Sequence, residues 1–96
     1  MNIADLKAGM DNIEIKAEIA DMEEPVEVMT KFGTAVELTN VTLRDDTGSI
    51  KLVLWGDKSK GLNQGDTILL KNAFVKEFRG EKQLGLPKNG EIEKEG

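Results

Sequence analysis

The stretch Ile13-Glu14-Ile15-Lys16-Ala17-Glu18-Ile19 places an apolar side chain at every second position and a charged one between. A period of two describes a strand with one buried and one wet face; on a helix the same residues would be scattered around the axis. The pattern returns between Ser49 and Trp55, where Ile50, Leu52 and Leu54 face one way and Lys51, Val53 and Trp55 the other. A chain built on this period must bury its apolar faces against other strands. That confines it to a small all-β sandwich or barrel.

Turn chemistry divides the rest. Pro25 cannot donate to a ladder, so the first strand, resuming through Val26 and Val28 to Lys31, is expected to bend or bulge there. Lys31-Phe32-Gly33-Thr34 reads as a hairpin turn with Gly33 at positive φ. The second strand, Ala35 to Arg44, is mixed in phase: Val36 and Leu38 share one parity, Val41 and Leu43 the other. A bulge near Thr39-Asn40 would reconcile them. Asp45-Asp46-Thr47-Gly48 is a turn, the third strand runs from Ser49 to Trp55, and Asp57 to Leu62 is short, polar and helix-tolerant. After the turn Asn63-Gln64-Gly65-Asp66, a fourth strand covers Thr67 to Phe78. Its apolar residues change parity between Leu70 and Ala73, which predicts a twist or bulge near Asn72. Arg79-Gly80-Glu81 turns the chain into a fifth strand, Lys82 to Leu86.

Asn2 to Met10 reads as one or two helical turns, capped by Asn2 and ended by Gly9, with Ile3 and Leu6 on one face as a plug. Residues 1–90 form a single domain on this reading, and the charged residues 91–96 a frayed tail. Five strands with turn signals about every eight to twelve residues, and a short helical connection between the third and fourth, match the five-stranded, partly open barrel called the OB-fold.

Composition removes most chemistry. The chain of 96 residues has no cysteine, histidine or tyrosine, and serine occurs at Ser49 and Ser59. Without those residues there is no disulfide framework, no thiolate metal site and no histidine base. Asp45 and Asp46 are read as turn formers, not metal ligands. The glycines at 48, 56, 65 and 80 fall in turns and make no phosphate-loop pattern. No enzyme activity, metal or cofactor is therefore expected. No apolar run approaches the roughly 20 residues of a spanning helix, and no signal peptide is evident. No membrane association is expected; an intracellular protein of the cytoplasm or nucleoid, or one domain of a longer chain, fits this reading.

The formal net charge is −5, against the usual basic balance of nucleic-acid binders. It is unevenly spread: residues 1–46 carry −7, residues 47–88 carry +4 and residues 89–96 carry −2. Three of the four aromatic residues, Trp55, Phe74 and Phe78, lie in the positive block, with Phe32 outside it. Trp55 shares a strand face with Lys51, and Phe74 and Phe78 share one with Lys76. A cation beside a ring is poor core material. It suits a phosphate backbone with unstacked bases, which stack on exposed rings with little sequence preference. The competing reading makes the rings plugs at the barrel ends.

At these residues the chain resembles the single OB-fold single-stranded-DNA-binding proteins of archaea, their eukaryotic relatives, and the OB domains of archaeal replication protein A. The resemblance spans about Leu6 to Ile92. It rests on Asp45-Asp46-Thr47-Gly48-Ser49-Ile50, Leu52-Val53-Leu54-Trp55-Gly56, Gly65-Asp66, Lys71-Asn72-Ala73-Phe74 and Phe78-Arg79-Gly80, followed by Leu84. It implies single-stranded DNA binding in replication or repair, with bases stacked on Trp55, Phe74 and Phe78. A fourth ring of some members would fall on Gly85 and is missing here. The expected phosphate contacts are Lys51, Lys76, Arg79 and Lys82. Two alternatives stand beside this reading. One is an RNA-binding OB module. The other is a protein-interaction OB domain of a larger replication protein A chain, whose acidic half recruits replication or repair proteins. Phe32 is expected either to add a stack or to cover the barrel mouth.

Overall fold

The alternating segments form strands wherever their apolar faces meet a common core. A computed structural model describes residues 2–59 and 61–95. Its strands are β1 (Ile13–Met22), β2 (Val26–Met29), β3 (Ala35–Asp45), β4 (Gly48–Trp55), β5 (Thr67–Phe78), β6 (Glu81–Gly85) and β7 (Glu91–Glu95). Pairing runs β1–β3–β4–β6–β5 and returns from β5 to β1, so five strands close on themselves as a barrel. The β4–β6 contact is parallel and the other pairings are antiparallel.

Closure depends on β1. Its first half pairs with β5 (Ile15 opposite Leu70, Ala17 opposite Ile68) and its second half with β3 (Ile19 opposite Leu43, Met22 opposite Val41). A register shift between Ile19 and Asp21 bends the strand from one neighbour to the other. Pro25 separates β1 from β2, so the expected single first strand is two strands.

The core is aliphatic. Ile13, Ile15 and Ile19 of β1, Val41 and Leu43 of β3, Ile50, Leu52 and Leu54 of β4, Ile68 and Leu70 of β5 and Leu84 of β6 are buried together. No described aromatic ring belongs to this cluster.

Two expected irregularities resolve differently. The bulge near Asn72 is present: Asn72 adopts φ 62°, β5 slips against β1 there, and burial passes from Leu70 to Ala73 and Val75. The bulge expected at Thr39-Asn40 is absent, and β3 pairs with β4 in unbroken register from Leu38 to Asp45. Thr39, Val41 and Leu43 face the core, while Val36 and Leu38 are half-buried on the other face. The phase was mixed because β3 is apolar on both faces where it leaves the barrel to pair with β2.

The N-terminal segment is one 3₁₀ turn, Ile3–Asp5, with Ile3 and Leu6 in the core. Asn2 makes no side-chain cap. The turn is capped from the β3–β4 connection instead: the Ile3 amide donates to Asp45 Oδ2 at 2.9 Å and the Ala4 amide to Thr47 Oγ1 at 3.1 Å. The connection between β4 and β5 begins with a second 3₁₀ turn, Gly56–Ser59. It is shorter than the expected 57–62, of which Lys60 lies outside the described residues.

The tail is the larger correction. Residues 91–95, expected to fray, form β7 against β5, with Leu70 opposite Ile92. Ile92 packs on the core, and ion pairs Lys71–Glu93 (3.2 Å), Lys94–Asp66 (3.3 Å) and Lys16–Glu95 (2.6 Å) hold the strand at its flanks. One apolar residue in six gives no readable period, so the pairing was invisible locally. Gly96 of that expected tail lies outside the described residues.

Candidate nucleic-acid interface

The barrel's outer face over β3, β4, β6 and β5 is a lattice set by register. One row reads Thr42, Lys51, Gln83, Lys76. The next reads Asn40, Val53, Gly85, Phe74. Leu38 and Trp55 pair beyond it, and Phe78 lies opposite Glu81 at the other end. The bulge at Asn72 makes this arrangement: by shifting the phase of β5 it turns Ala73 and Val75 inward and Phe74, Lys76 and Phe78 outward.

Trp55, 47% exposed, and Phe78, 56% exposed, are open platforms. The Arg79 guanidinium stands 5.2 Å from the Phe78 ring centroid, within cation–π range. Arg79 and Gly80 both take positive φ, 52° and 80°, as a two-residue hairpin of the primed type demands. Phe74 is half-buried because its ring lies over Gly85. A Cβ at residue 85 would stand 2.3 Å from Phe74 Cζ. Residue 85, where the resemblance implied a fourth ring, is glycine here, and the Phe74 ring fills the space above it.

The cations divide into two sets. Lys51 and Lys76 flank Gln83 and have no carboxylate partner among the described residues. Arg79 stands at the β5–β6 turn. Lys82 does not join them: it alternates with Gln83 on β6, and its Nζ donates to the Leu6 carbonyl at 2.8 Å. Lys82, expected as a phosphate contact, here clamps the N-terminal segment and is not brought together with Lys51 and Lys76. Lys58 is likewise engaged, by the Gly90 carbonyl at 3.2 Å. Lys71 is held by Glu93, whose hydrogen bond and charge raise its pKa above the ordinary lysine value.

Four residues on this face were missed in the sequence. Gln83 is buried at its centre, between the two free lysines. Asn40 and Thr42 extend the rows onto β3, and Leu38 lies beside Trp55. The alternation of β3 does carry the signal for Asn40 and Thr42, once Leu38 is assigned to the outer face. Nothing local marks Gln83, because the parallel β4–β6 pairing brings it to Lys51.

Two carboxylates of the acidic half are directed elsewhere. Glu27 and Glu37 oppose one another on the β2–β3 hairpin, on the parity opposite to Leu38. The hairpin exposes Val26, Met29 and, at its tip, Phe32, which is 83% exposed with Lys31 Nζ 5.3 Å from its centroid. At that exposure Phe32 covers no barrel mouth.

A family model for the replication protein A OB domain matches residues 3–95. The single-stranded DNA binding protein Ssb of Saccharolobus solfataricus is 27% identical over 82 residues, 85% of this chain and 55% of that protein. The Replication factor A of Methanothermobacter thermautotrophicus is 39% identical over 74 residues, 76% of this chain and 9% of that protein. The chain therefore spans about half of one relative and a small fraction of the other. Among solved structures, a replication factor A related protein from Methanobacterium thermoautotrophicum superposes with a TM-score of 0.82 at 26% identity, covering 98% of this chain and 88% of that one. With the closed five-strand circuit and the parallel β4–β6 contact, the match over nearly the whole length shows that this chain belongs to the replication protein A OB-domain family.

Proposed function

We propose that the chain is a non-enzymatic module that binds single-stranded DNA in replication or repair. Bases stack on Trp55, Phe74 and Phe78, and phosphates meet Lys51, Lys76 and Arg79. The observation that carries this reading is a barrel whose described core holds no ring, while three rings and two lysines without a carboxylate partner among the described residues share one outer face. Rings that contribute nothing to the core are available to stack bases, at about 1–3 kcal/mol per base. The Saccharolobus relative, a single-stranded DNA binding protein, agrees with this reading.

Trp55 is the sole tryptophan, so it reports on its own site. Titration with oligo-dT of about 10 nucleotides, within the range of OB-fold site sizes, is expected to quench its fluorescence. Saturation confirmed by another method with unchanged emission removes Trp55 from the interface. The β2–β3 hairpin, acidic and with three exposed large apolar side chains, favours a second reading in which the domain also docks a protein partner. That reading predicts intact DNA binding in a Phe32→Ser, Met29→Ser variant.

A further inference from the structure

We propose that the cavity beside Phe74 is a base-reading subsite that takes guanine, so that one position of the bound strand carries a sequence preference. The inference rests on the DNA-binding reading above and deepens it. Asn12 precedes Ile13, the partner of Ala73, and lies beside Phe74, whose own partner in the row is Gly85. There a cavity of about 430 Å3 opens, lined by Asp11, Asn12, Asn72, Phe74, Pro87 and Asn89. That volume is in the range of small-molecule sites.

Its chemistry differs from the rest of the face. Phe74 and Pro87 supply apolar surface for the plane of a base. Asn12 and Asn89 supply amides, Asn72 donates its own amide to the Asn89 carbonyl at 3.4 Å, and Asp11 supplies a carboxylate that, when ionised, only accepts hydrogen bonds. No lysine or arginine lines it. A phosphate is therefore disfavoured, and a ligand edge rich in donors is favoured. Thymine offers one ring N–H between two carbonyl oxygens, which a carboxylate repels. Guanine offers adjacent N1–H and N2–H donors, matched to the two oxygens of a carboxylate. Asn12 and Asn72 also hold left-handed backbone, φ 53° and 62°, two of the three such non-glycine residues among those described. Departures of this kind collect where a side chain is being aimed, and here both flank the same cavity.

The test compares dT10 with ten oligonucleotides that each carry a single dG, one position at a time, by fluorescence anisotropy. Guanine at one or two adjacent positions is expected to tighten binding about tenfold relative to dT10, the scale of a good bidentate base contact. Deoxyinosine, which lacks the N2 amine, is expected to lose most of that gain. Asp11→Asn is expected to abolish the dG:dT10 ratio, a quantity from which any general charge effect cancels. Asn12→Gly, which keeps the left-handed backbone, is expected to reduce it. Equal affinity for all eleven oligonucleotides, or a ratio that survives Asp11→Asn, overturns the subsite while leaving single-stranded DNA binding intact. Failure to bind dT10 at all overturns the binding reading itself, and this inference with it.

Discussion

Phe78 and Phe74 occupy one strand face but are held differently, and their substitutions separate accordingly. Phe78 is more than half exposed. Phe78→Ala is expected to change stability by about 0.5 kcal/mol or less and to weaken single-stranded DNA binding by about 1–3 kcal/mol. Phe74 rests on Gly85, so Phe74→Ala combines a similar loss of affinity with a stability loss of roughly 1–3 kcal/mol, below the value for a fully buried ring. Thermal melts and titrations on the same samples check both. Gly85→Ala tests the packing from the other side. The new methyl would collide with three atoms of the Phe74 ring, so the ring must swing off its seat. Affinity is then expected to fall by about 1–3 kcal/mol although no contacting side chain was removed. Unchanged affinity would mean that the seat of Phe74 does not matter to the ligand.

At the scale of elements, the N-terminal turn depends on Asp45. Burial alone would raise the pKa of this carboxyl. Hydrogen bonds from the Thr47 hydroxyl and from the amides of Ile3, Thr47 and Gly48 outweigh that and hold it below the usual aspartate value. A carboxyl with a depressed folded-state pKa adds stability that is fully present above its unfolded value, about 3.9. That stability is lost as pH falls through the lower folded value. Asp45→Asn is therefore expected to lower stability at neutral pH and to flatten the acid limb below about pH 4. Urea melts across a pH series would show it, and an unchanged acid limb would remove Asp45 as its source. Lys82, which clamps Leu6 on the same segment, belongs to this structural set.

For the whole molecule, the proposed function raises the question of how a chain of net charge −5 would hold a polyanion. Partial segregation is the answer proposed: Asp11 stays beside Phe74 and Glu81 opposite Phe78, but other carboxylates turn away. Glu27 and Glu37 project on the far side of the hairpin, and Glu77 pairs in register with Lys82, off the ring face. Lys51, Lys76 and Arg79 are then the cations proposed to face the strand. Three phosphates neutralised at about −0.7 each give an expected slope of about −2 in log K against log salt. Stacking supplies the rest of the affinity and is insensitive to salt. Duplex of equal length is expected to bind far more weakly, because its bases are already stacked on one another. Parallel salt series on the two substrates decide the matter: a slope steeper than about −5, or equal duplex affinity, would show that charge dominates.

The strands, most of the turns and the aliphatic core were legible in the sequence, because each rests on residues near one another in the chain. The alternation of Ile13 to Ile19 states which side chains go inside, Gly33 and Gly80 mark bends, and the phase change between Leu70 and Ala73 located a bulge before any fold was known. Trp55 and Lys51 could be assigned to an outer face by parity, and Phe74, Lys76 and Phe78 only by parity together with the irregularity near Asn72. Other features required the closed barrel. Gln83 reaches Lys51 only through the parallel β4–β6 contact, and β7 is a strand only because β5 offers it an edge. Lys82 leaves the candidate set for a carbonyl 76 residues away. Side-chain period and turn chemistry act over a few residues, so they are written locally. Strand order and the partner a cation finds depend on contacts between distant segments, and those exist only once the chain has closed on itself.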